Sequence, residues 1–148
     1  MQIYECDLNE QVINELIRLS EDWAKEDSCY GYRANNVEDI QGNRVFLAEE
    51  DGKIIGYLFG HVSSSKNMRS IIPEDTPFFE IMEIYVIAER RSEGIGKKLF
   101  EYMEEKVKDE AEYAFLSTAT KNYKAILHFY IDVVGMNFWS ASLFKKLA

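Results

Sequence analysis

The chain has 148 residues, 47% of them apolar, so it is long enough for one well-packed domain and short for two. Its net charge of −9 argues against general nucleic-acid binding, which needs a basic surface that displaces counterions. It contains no apolar run of about 18 residues or more and no secretory pattern at its start, so we expect a cytoplasmic protein without membrane association. Cys6 and Cys29 lack metal-type spacing, which predicts reduced thiols and no metal site.

The first half of the chain predicts two helices and three strands. Apolar residues recur at helical spacing near the N-terminus, and two later apolar runs flank Asp51-Gly52, a pair typical of tight hairpin turns. The predicted elements are a strand over 2–6, a helix from Asn9 to about Lys25, a short helix over 37–40, and strands over 44–49 and 53–63.

The second half predicts further strands around two helices. The nearly continuous apolar run over 78–87 fits a strand that is buried on both faces. Helical spacing then extends from Leu99 to about Glu110, and again over 123–134, where Gly135 is a natural stop. Residues 112–118 favour a buried strand, and residues 137–147 a final strand or pair. This order indicates one α/β or α+β domain over residues 1–148.

The stretch "RRSEGIGKKL", residues 90–99, combines two glycines with the start of a helix. Unpaired amides at a helix N-terminus attract anions, and glycines let the backbone approach phosphate oxygens closely. A dinucleotide fingerprint would need a third glycine at position 99, which is Leu99. A P-loop would need Ser or Thr after Gly96-Lys97, where Lys98 stands. The stretch therefore indicates an anion cradle of another kind, the alternative being that the two glycines only permit a tight turn between strand and helix.

The same stretch resembles the coenzyme A loop of the GNAT N-acetyltransferase superfamily, whose pattern is [QR]-x-x-G-x-[GA]. Residues 91–96, "RSEGIG", fit every fixed position, and Val86 stands five residues before Arg91, as the family's valine usually does. The resemblance covers nearly the whole chain. It implies a mixed, mostly antiparallel sheet that is flanked by helices and splayed between its fourth and fifth strands, with acetyl-CoA as co-substrate in the resulting slot.

The resemblance also implies which residues hold acetyl-CoA. Backbone groups of the fourth strand would bind the pantetheine arm, amides of the loop would cradle the pyrophosphate, and an asparagine on the last helix would add a contact. The residues so assigned are Ile84, Tyr85, Val86, Arg91, Ser92, Glu93, Gly94, Ile95, Gly96, Lys97 and Asn122.

Two carboxylates, Glu80 and Glu83, interrupt the otherwise apolar fourth strand. Burial raises the pKa of a carboxyl group towards that of a useful base, and an amine must lose a proton to act as a nucleophile. Strand alternation places residues three apart on opposite faces. We expect Glu83 to be the base and Glu80 a substrate ligand or the alternative base. A salt-bridged or edge-exposed carboxylate is an equal alternative for each.

The segment "NYKAILHFY" resembles a family element, N-x-x-A-x-x-[FY]-Y-x-x-x-G-F, whose last tyrosine protonates the leaving thiolate. Asn122 and Ala125 keep the spacing, but Tyr130 is eight residues after Asn122 rather than seven. A bulge in the helix can absorb the extra residue. The resemblance assigns the acid to Tyr130, with core packing of Tyr130 as the alternative and Tyr123 and His128 as weaker candidates.

The regions that bind the acceptor in this superfamily are rich here in acids and aromatics. Such side chains suit a cationic amine, and a solvated acidic loop explains this composition nearly as well. They are Asp22, Trp23, Glu26, Asp27, Tyr30, Tyr32, Glu74, Asp75, Phe78 and Phe79. The implied activity is acetyl transfer by direct attack of a small amine, polyamine, aminoglycoside or peptide amine. The alternatives are a non-catalytic acyl-CoA-binding module and an unrelated α/β protein. The apolar residues 137–147 could also form a homodimer seam.

Overall fold

Five strands form one mixed sheet in the order β1-β2-β3-β4-β5 in the computed structural model, which describes residues 1–148. The first four strands pair antiparallel, and β4 and β5 pair parallel. The strands are β1 Gln2–Cys6, β2 Arg44–Glu50, β3 Lys53–Ser64, β4 Pro77–Val86 and β5 Tyr113–Phe115. Asp51 and Gly52 both have positive φ angles, as the tight turn between β2 and β3 requires. This α+β architecture confirms the predicted fold class.

Helices cover both faces of the sheet. They are α1 Glu10–Lys25, α2 Val37–Ile40, α3 Ile95–Val107 and α4 Tyr123–Leu127, with a 3₁₀ turn at Ala88–Arg90 and a π-helix at His128–Val133. The Asn9 side chain caps α1 by accepting a hydrogen bond from the Val12 amide at 2.9 Å. None of these helices is long and apolar enough to cross a membrane.

The sheet separates two apolar cores. On one face, α1 and α2 pack on β2 and β3, and the residues at the centre of this core are Leu16, Leu19, Ile40, Leu47, Tyr57 and Phe59. On the other face, α3 packs on β2, β3 and β4 through Phe46, Leu58, Phe79, Leu99, Phe100 and Met103. Because helices cover both faces, the part of β4 that carries Glu83 does not lie on an exposed face. It lies instead beside a gap in the sheet.

That opening is made by the short β5. Its residues 113–115 pair only with residues 78–80 of β4, whereas β4 continues to Val86 along β3. Residues 81–86 therefore have a strand neighbour on one side alone. This is the predicted splay between the fourth and fifth strands.

The C-terminal segment differs from the prediction. Residues 137–148 form no strand, and β5 is shorter than predicted for 112–118. Leu143, Phe144 and Leu147 are 94%, 80% and 83% exposed, so they do not form a core strand. The apolar pattern reports only local β-propensity, and a strand also needs a neighbouring ladder. After β5 the chain instead turns to pair Thr120 with Cys29 in the connection between α1 and α2.

Candidate active site

The turn before α3 presents six consecutive amides to solvent. The N–H groups of residues 92–97 make no hydrogen bond within the protein, because 95–97 open a helix and 92–94 form a tight turn. Ser92 and Gly94 have left-handed φ angles of 66° and 83°, and left-handed residues of this kind are typical of the backbone nests that bind anions. Such a nest is built for an anion, and this observation fits the pyrophosphate of coenzyme A.

Gly96 is needed for close packing at this turn. A Cβ atom on Gly96 would lie 3.3 Å from the Phe129 ring, which is tighter than most such contacts. Phe129 belongs to the π-helix, so the start of α3 and the π-helix meet here. The anion nest and the last helix therefore lie side by side at the open end of the sheet.

The two arginines of the turn are both bound by carboxylates. Arg91 donates two hydrogen bonds to Glu26, at 2.7 and 2.8 Å, and a third from Nε to the Val86 carbonyl at 2.9 Å. Arg90 pairs with Glu50 and Glu93. The Arg91 guanidinium therefore fastens the nest to the end of α1 and to β4. With Arg91 so bound, the unpaired donors at this turn are its backbone amides.

Of the other residues assigned to coenzyme A, Ile84, Tyr85 and Val86 lie along the part of β4 that faces the splay. Lys97 reaches Glu101 at 3.7 Å on the exposed side of α3. The Asn122 side chain faces the Ala125 amide at 3.5 Å, where it caps α4. Its amide NH₂ makes no hydrogen bond within the protein.

A β-bulge in β4 changes the expected placement of the two carboxylates. Phe59 pairs with Glu83 and His61 with Glu80, so Met82 is an extra residue in β4. Paired residues share a face, and Phe59 and His61 are two apart in β3, so Glu80 and Glu83 lie on the same face. The prediction of opposite faces is wrong because regular alternation does not hold across a bulge.

Glu83 is held by three donors on one oxygen. The Tyr57 hydroxyl at 2.9 Å, the Asn35 amide at 2.9 Å and the Tyr32 hydroxyl at 3.1 Å all donate to Oε1. Burial raises the pKa of Glu83 above its usual value, and these hydrogen bonds oppose that rise only in part. Oε2 accepts no hydrogen bond within the protein, so it is the oxygen available for proton transfer.

An aromatic stack connects Glu83 with the anion nest. Trp23 lies between Tyr32, at 4.2 Å, and Tyr85, at 5.3 Å between ring centroids. The Arg91 guanidinium lies 5.3 Å from the Tyr85 ring, and the Tyr85 hydroxyl donates to Glu26 at 3.0 Å. The nest and the carboxylate therefore share one aromatic wall, in which Trp23 of α1 is the middle ring.

Tyr130 lies in the π-helix, so the helical bulge expected from its spacing is present. The Val134 amide donates to the Phe129 carbonyl, five residues earlier, at 3.0 Å. Burial, with a smaller effect from the neighbouring Cys29, raises the pKa of Tyr130 to about 12. Its hydroxyl has no partner within the protein and is protonated at neutral pH. Tyr123, by contrast, is 58% exposed.

Several side chains around Glu83 escaped the sequence analysis. Asn35 carried no signal, because the connection between α1 and α2 has no periodicity. Tyr57 did carry a sequence signal, because a tyrosine in a buried strand needs a partner for its hydroxyl. Among the predicted acceptor residues, Trp23 and Tyr32 stand at the site, whereas Phe79 is in the core and Glu26 is bound to Arg91.

Solved structures with the same fold cover the whole chain. A tetramutant of the BH1408 protein from Bacillus halodurans has a TM-score of 0.74 and 22% identity, with 99% of this chain and 100% of that chain covered. The aminoglycoside acetyltransferase meta-AAC0020 from an uncultured soil metagenomic sample, in complex with sisomicin, has a TM-score of 0.71 and 22% identity, with 99% and 96% covered. Aminoglycoside N-acetyltransferase AAC(6')-Iy in complex with CoA has a TM-score of 0.67 and 16% identity, with 99% of each chain covered.

These likenesses, all below 25% identity, establish the fold. A search of curated protein sequences finds no significant match. The model of the Acetyltransferase (GNAT) family, however, matches residues 10–135, which include the anion nest, both carboxylates of β4 and the π-helix. The chain belongs to the acetyltransferase (GNAT) family.

Proposed function

We propose that this protein transfers the acetyl group of acetyl-CoA to a primary amine, with Glu83 as the base and Tyr130 as the hydrogen-bond donor to the departing sulfur. The observation that carries the proposal is the position of Glu83. This largely buried carboxylate, with one free oxygen, lies on β4 beside the splay, and the strand leads directly into the nest of unpaired amides. Base and anion cradle are thus joined by one strand.

The residues along this strand fit acetyl-CoA. The amides of 92–97 would hold its pyrophosphate, and the free edge of 84–86 would hold its pantetheine arm. When bound, acetyl-CoA supplies an acetyl thioester whose C–S bond breaks as a C–N bond forms to the amine. Gly96 keeps Phe129 close enough to close this slot on the side of the last helix.

Glu83 makes the amine nucleophilic. An alkyl ammonium has a pKa of about 10.4, so only about one molecule in 10³ is neutral at pH 7. A carboxylate with a raised pKa accepts the ammonium proton more readily than an ordinary one. Tyr32, Asn35 and Tyr57 fix Oε1, so Oε2 takes that proton, directly or through a water molecule.

Tyr130 acts at the departing sulfur. A phenol with a pKa of about 12 is a weaker acid than a thiol, whose pKa is about 8.5. Complete proton transfer from Tyr130 to the sulfur is therefore uphill. We infer that the Tyr130 hydroxyl donates a hydrogen bond that stabilises the negative charge on sulfur. The second proton, which the attacking nitrogen loses as the amide forms, reaches the sulfur through solvent and completes the thiol.

A thiol-release assay tests the proposal. Purified protein is incubated with acetyl-CoA and one amine at a time. The amines are alkyl amines, polyamines, aminoglycosides and peptides with a free amino terminus, and the free thiol of coenzyme A is measured. We expect release with at least one amine and its loss in Glu83→Gln. Calorimetry with acetyl-CoA accompanies the assay. Binding without release by any amine would contradict the enzyme and favour a non-catalytic acyl-CoA-binding module.

A further inference from the structure

We infer that the acceptor carries two ammonium groups, and that Glu80 with His61 binds the one that does not react. This inference rests on the proposed function, in which Glu83 receives the proton of the reacting amine. Because of the bulge at Met82, Glu80 lies on the same face as Glu83, two regular strand positions away. A rise of about 3.3 Å per residue separates the two positions by about 6.6 Å.

Glu80 is a carboxylate without a strong partner. It accepts no hydrogen bond within the protein, and its nearest basic atom is His61 Nε2, at 3.8 Å. About a third of its side chain is exposed, 35%, so a ligand can reach it. Glu83, by contrast, already accepts three hydrogen bonds. The two carboxylates on this face therefore differ, one being prepared for proton transfer and the other free to pair with a cation.

The tautomer of His61 is set by Asn43. The Asn43 amide NH₂ donates to the Asp39 and Ile40 carbonyls, both at 3.0 Å, so its oxygen must face His61. That oxygen lies 2.9 Å from His61 Nδ1, which is therefore the protonated nitrogen. In the neutral ring, Nε2 is then an acceptor directed to the Glu80 side.

Two acceptors thus converge without a donor between them. A separation of 3.8 Å is too long for a hydrogen bond, but one nitrogen can lie about 2.9 Å from both atoms. An ammonium group, with three N–H donors, satisfies both at once. A neutral hydroxyl has only one O–H donor for these two acceptors, and an anion is repelled by the Glu80 carboxylate.

Aromatic rings enclose the other side of this position. Phe115 of β5 is the residue directly across from Glu80, and its ring meets that of Phe78 at 6.0 Å and that of Trp139 at 5.6 Å. Phe78 precedes Glu80 by two residues and so shares its face. A carboxylate, an imidazole nitrogen and aromatic rings together suit an alkylammonium group.

The test compares two acceptors of equal length. In 1,4-diaminobutane the second nitrogen is separated from the first by four methylene groups, and 4-aminobutan-1-ol replaces it with a neutral hydroxyl. We expect wild-type kcat/KM to be at least tenfold higher for the diamine. Glu80→Gln should lower this ratio at least tenfold. Glu105→Gln, on the exposed side of α3, removes the same charge and should leave the ratio within twofold.

If Glu80→Gln loses activity with both amines, a second variant with the opposite charge at this position still tests the inference. Glu80→Lys should prefer 4-aminobutanoate, whose carboxylate replaces the second ammonium group. Calorimetry of 1,4-diaminobutane with the coenzyme A complex of wild type and Glu80→Gln should show at least tenfold weaker binding by the variant.

Two results separate this inference from the proposed function. A wild-type ratio near one, or an unchanged ratio in Glu80→Gln, would overturn the second ammonium position while acetyl transfer stands. Absence of thiol release with every amine would overturn the proposed function itself.

Discussion

At the scale of single residues, the proposed role of Glu83 predicts the pH dependence of turnover. A base must be ionised, and burial raises the pKa of Glu83 above about 4.5, so kcat should fall as the pH drops through that raised value. Glu83→Gln should lower kcat about 10²-fold and abolish this acid limb. The measurement is kcat at saturating acetyl-CoA across pH, with Glu105→Gln as the charge control. An acid limb that persists in Glu83→Gln would move the base to another residue.

Tyr130 and Tyr123 offer a matched pair for testing the hydrogen bond to the departing sulfur. Only Tyr130 is largely buried, with a pKa raised to about 12, whereas Tyr123 is exposed. Tyr130→Phe should lower kcat about tenfold or more and leave the KM for acetyl-CoA within about twofold, because the hydroxyl acts after binding. Tyr123→Phe should change neither constant. Steady-state kinetics decide, and the reverse pattern would assign this hydrogen bond to Tyr123.

Arg91 should act on the cofactor through Glu26. Because its guanidinium is bound in a bidentate pair, Glu26→Gln should loosen the turn almost as much as Arg91→Ala, each weakening acetyl-CoA binding about tenfold. Calorimetric affinity is the measurement, and Glu21→Gln, on the exposed surface of α1, is the control. If Arg91 instead contacts phosphate directly, Glu26→Gln will leave the affinity unchanged or improve it.

At the scale of elements, Gly60 maintains the bulge that aligns the two carboxylates. A Cβ on Gly60 would lie 2.1 Å from the Glu80 carbonyl oxygen, a distance that real atoms do not show. Gly60→Ala should therefore shift β3 against β4 and cost about 3 kcal/mol or more in unfolding free energy. Gly56→Ala, where the closest backbone atom is at 3.0 Å, is the matched control and should cost less. Urea denaturation compares them, and equal costs would contradict the role of Gly60.

Elements with strong periodicity could be predicted from the sequence, whereas the features that align the site could not. The hairpin at Asp51-Gly52 and helix α1 follow from local turn chemistry and helical spacing. The π-helix could be anticipated from the sequence, because Tyr130 stands one residue further from Asn122 than in the family pattern. The bulge at Met82 could not be anticipated, because no spacing in the sequence indicates an extra residue there. It depends on the contact between Gly60 and the Glu80 backbone.

At the scale of the whole molecule, the donor and the acceptor meet on one sheet from different sides. In the proposed reaction, acetyl-CoA lies at the nest before α3 and the amine on the face of α1, and the splay beyond Glu80 joins the two. Two residues at the C-terminal end of α1 reach the two ends of that opening. Trp23 stacks on Tyr32, which donates to Glu83, and Glu26 accepts from Arg91 of the turn before α3. The end of α1 thus contacts both the proposed cofactor site and the proposed base.

The net charge of −9 should affect the two substrates in opposite ways. A negative surface attracts a cationic amine and repels anionic acetyl-CoA, and salt near 0.1 M reduces the screening length to about 10 Å. Raising the salt concentration from about 10 mM to about 200 mM should therefore lower kcat/KM for 1,4-diaminobutane and leave that for acetyl-CoA unchanged or higher. The decrease should be steeper for the diamine than for 4-aminobutan-1-ol, which carries one charge. Equal salt dependence of the two amines would show that the acidic surface does not distinguish the second ammonium group.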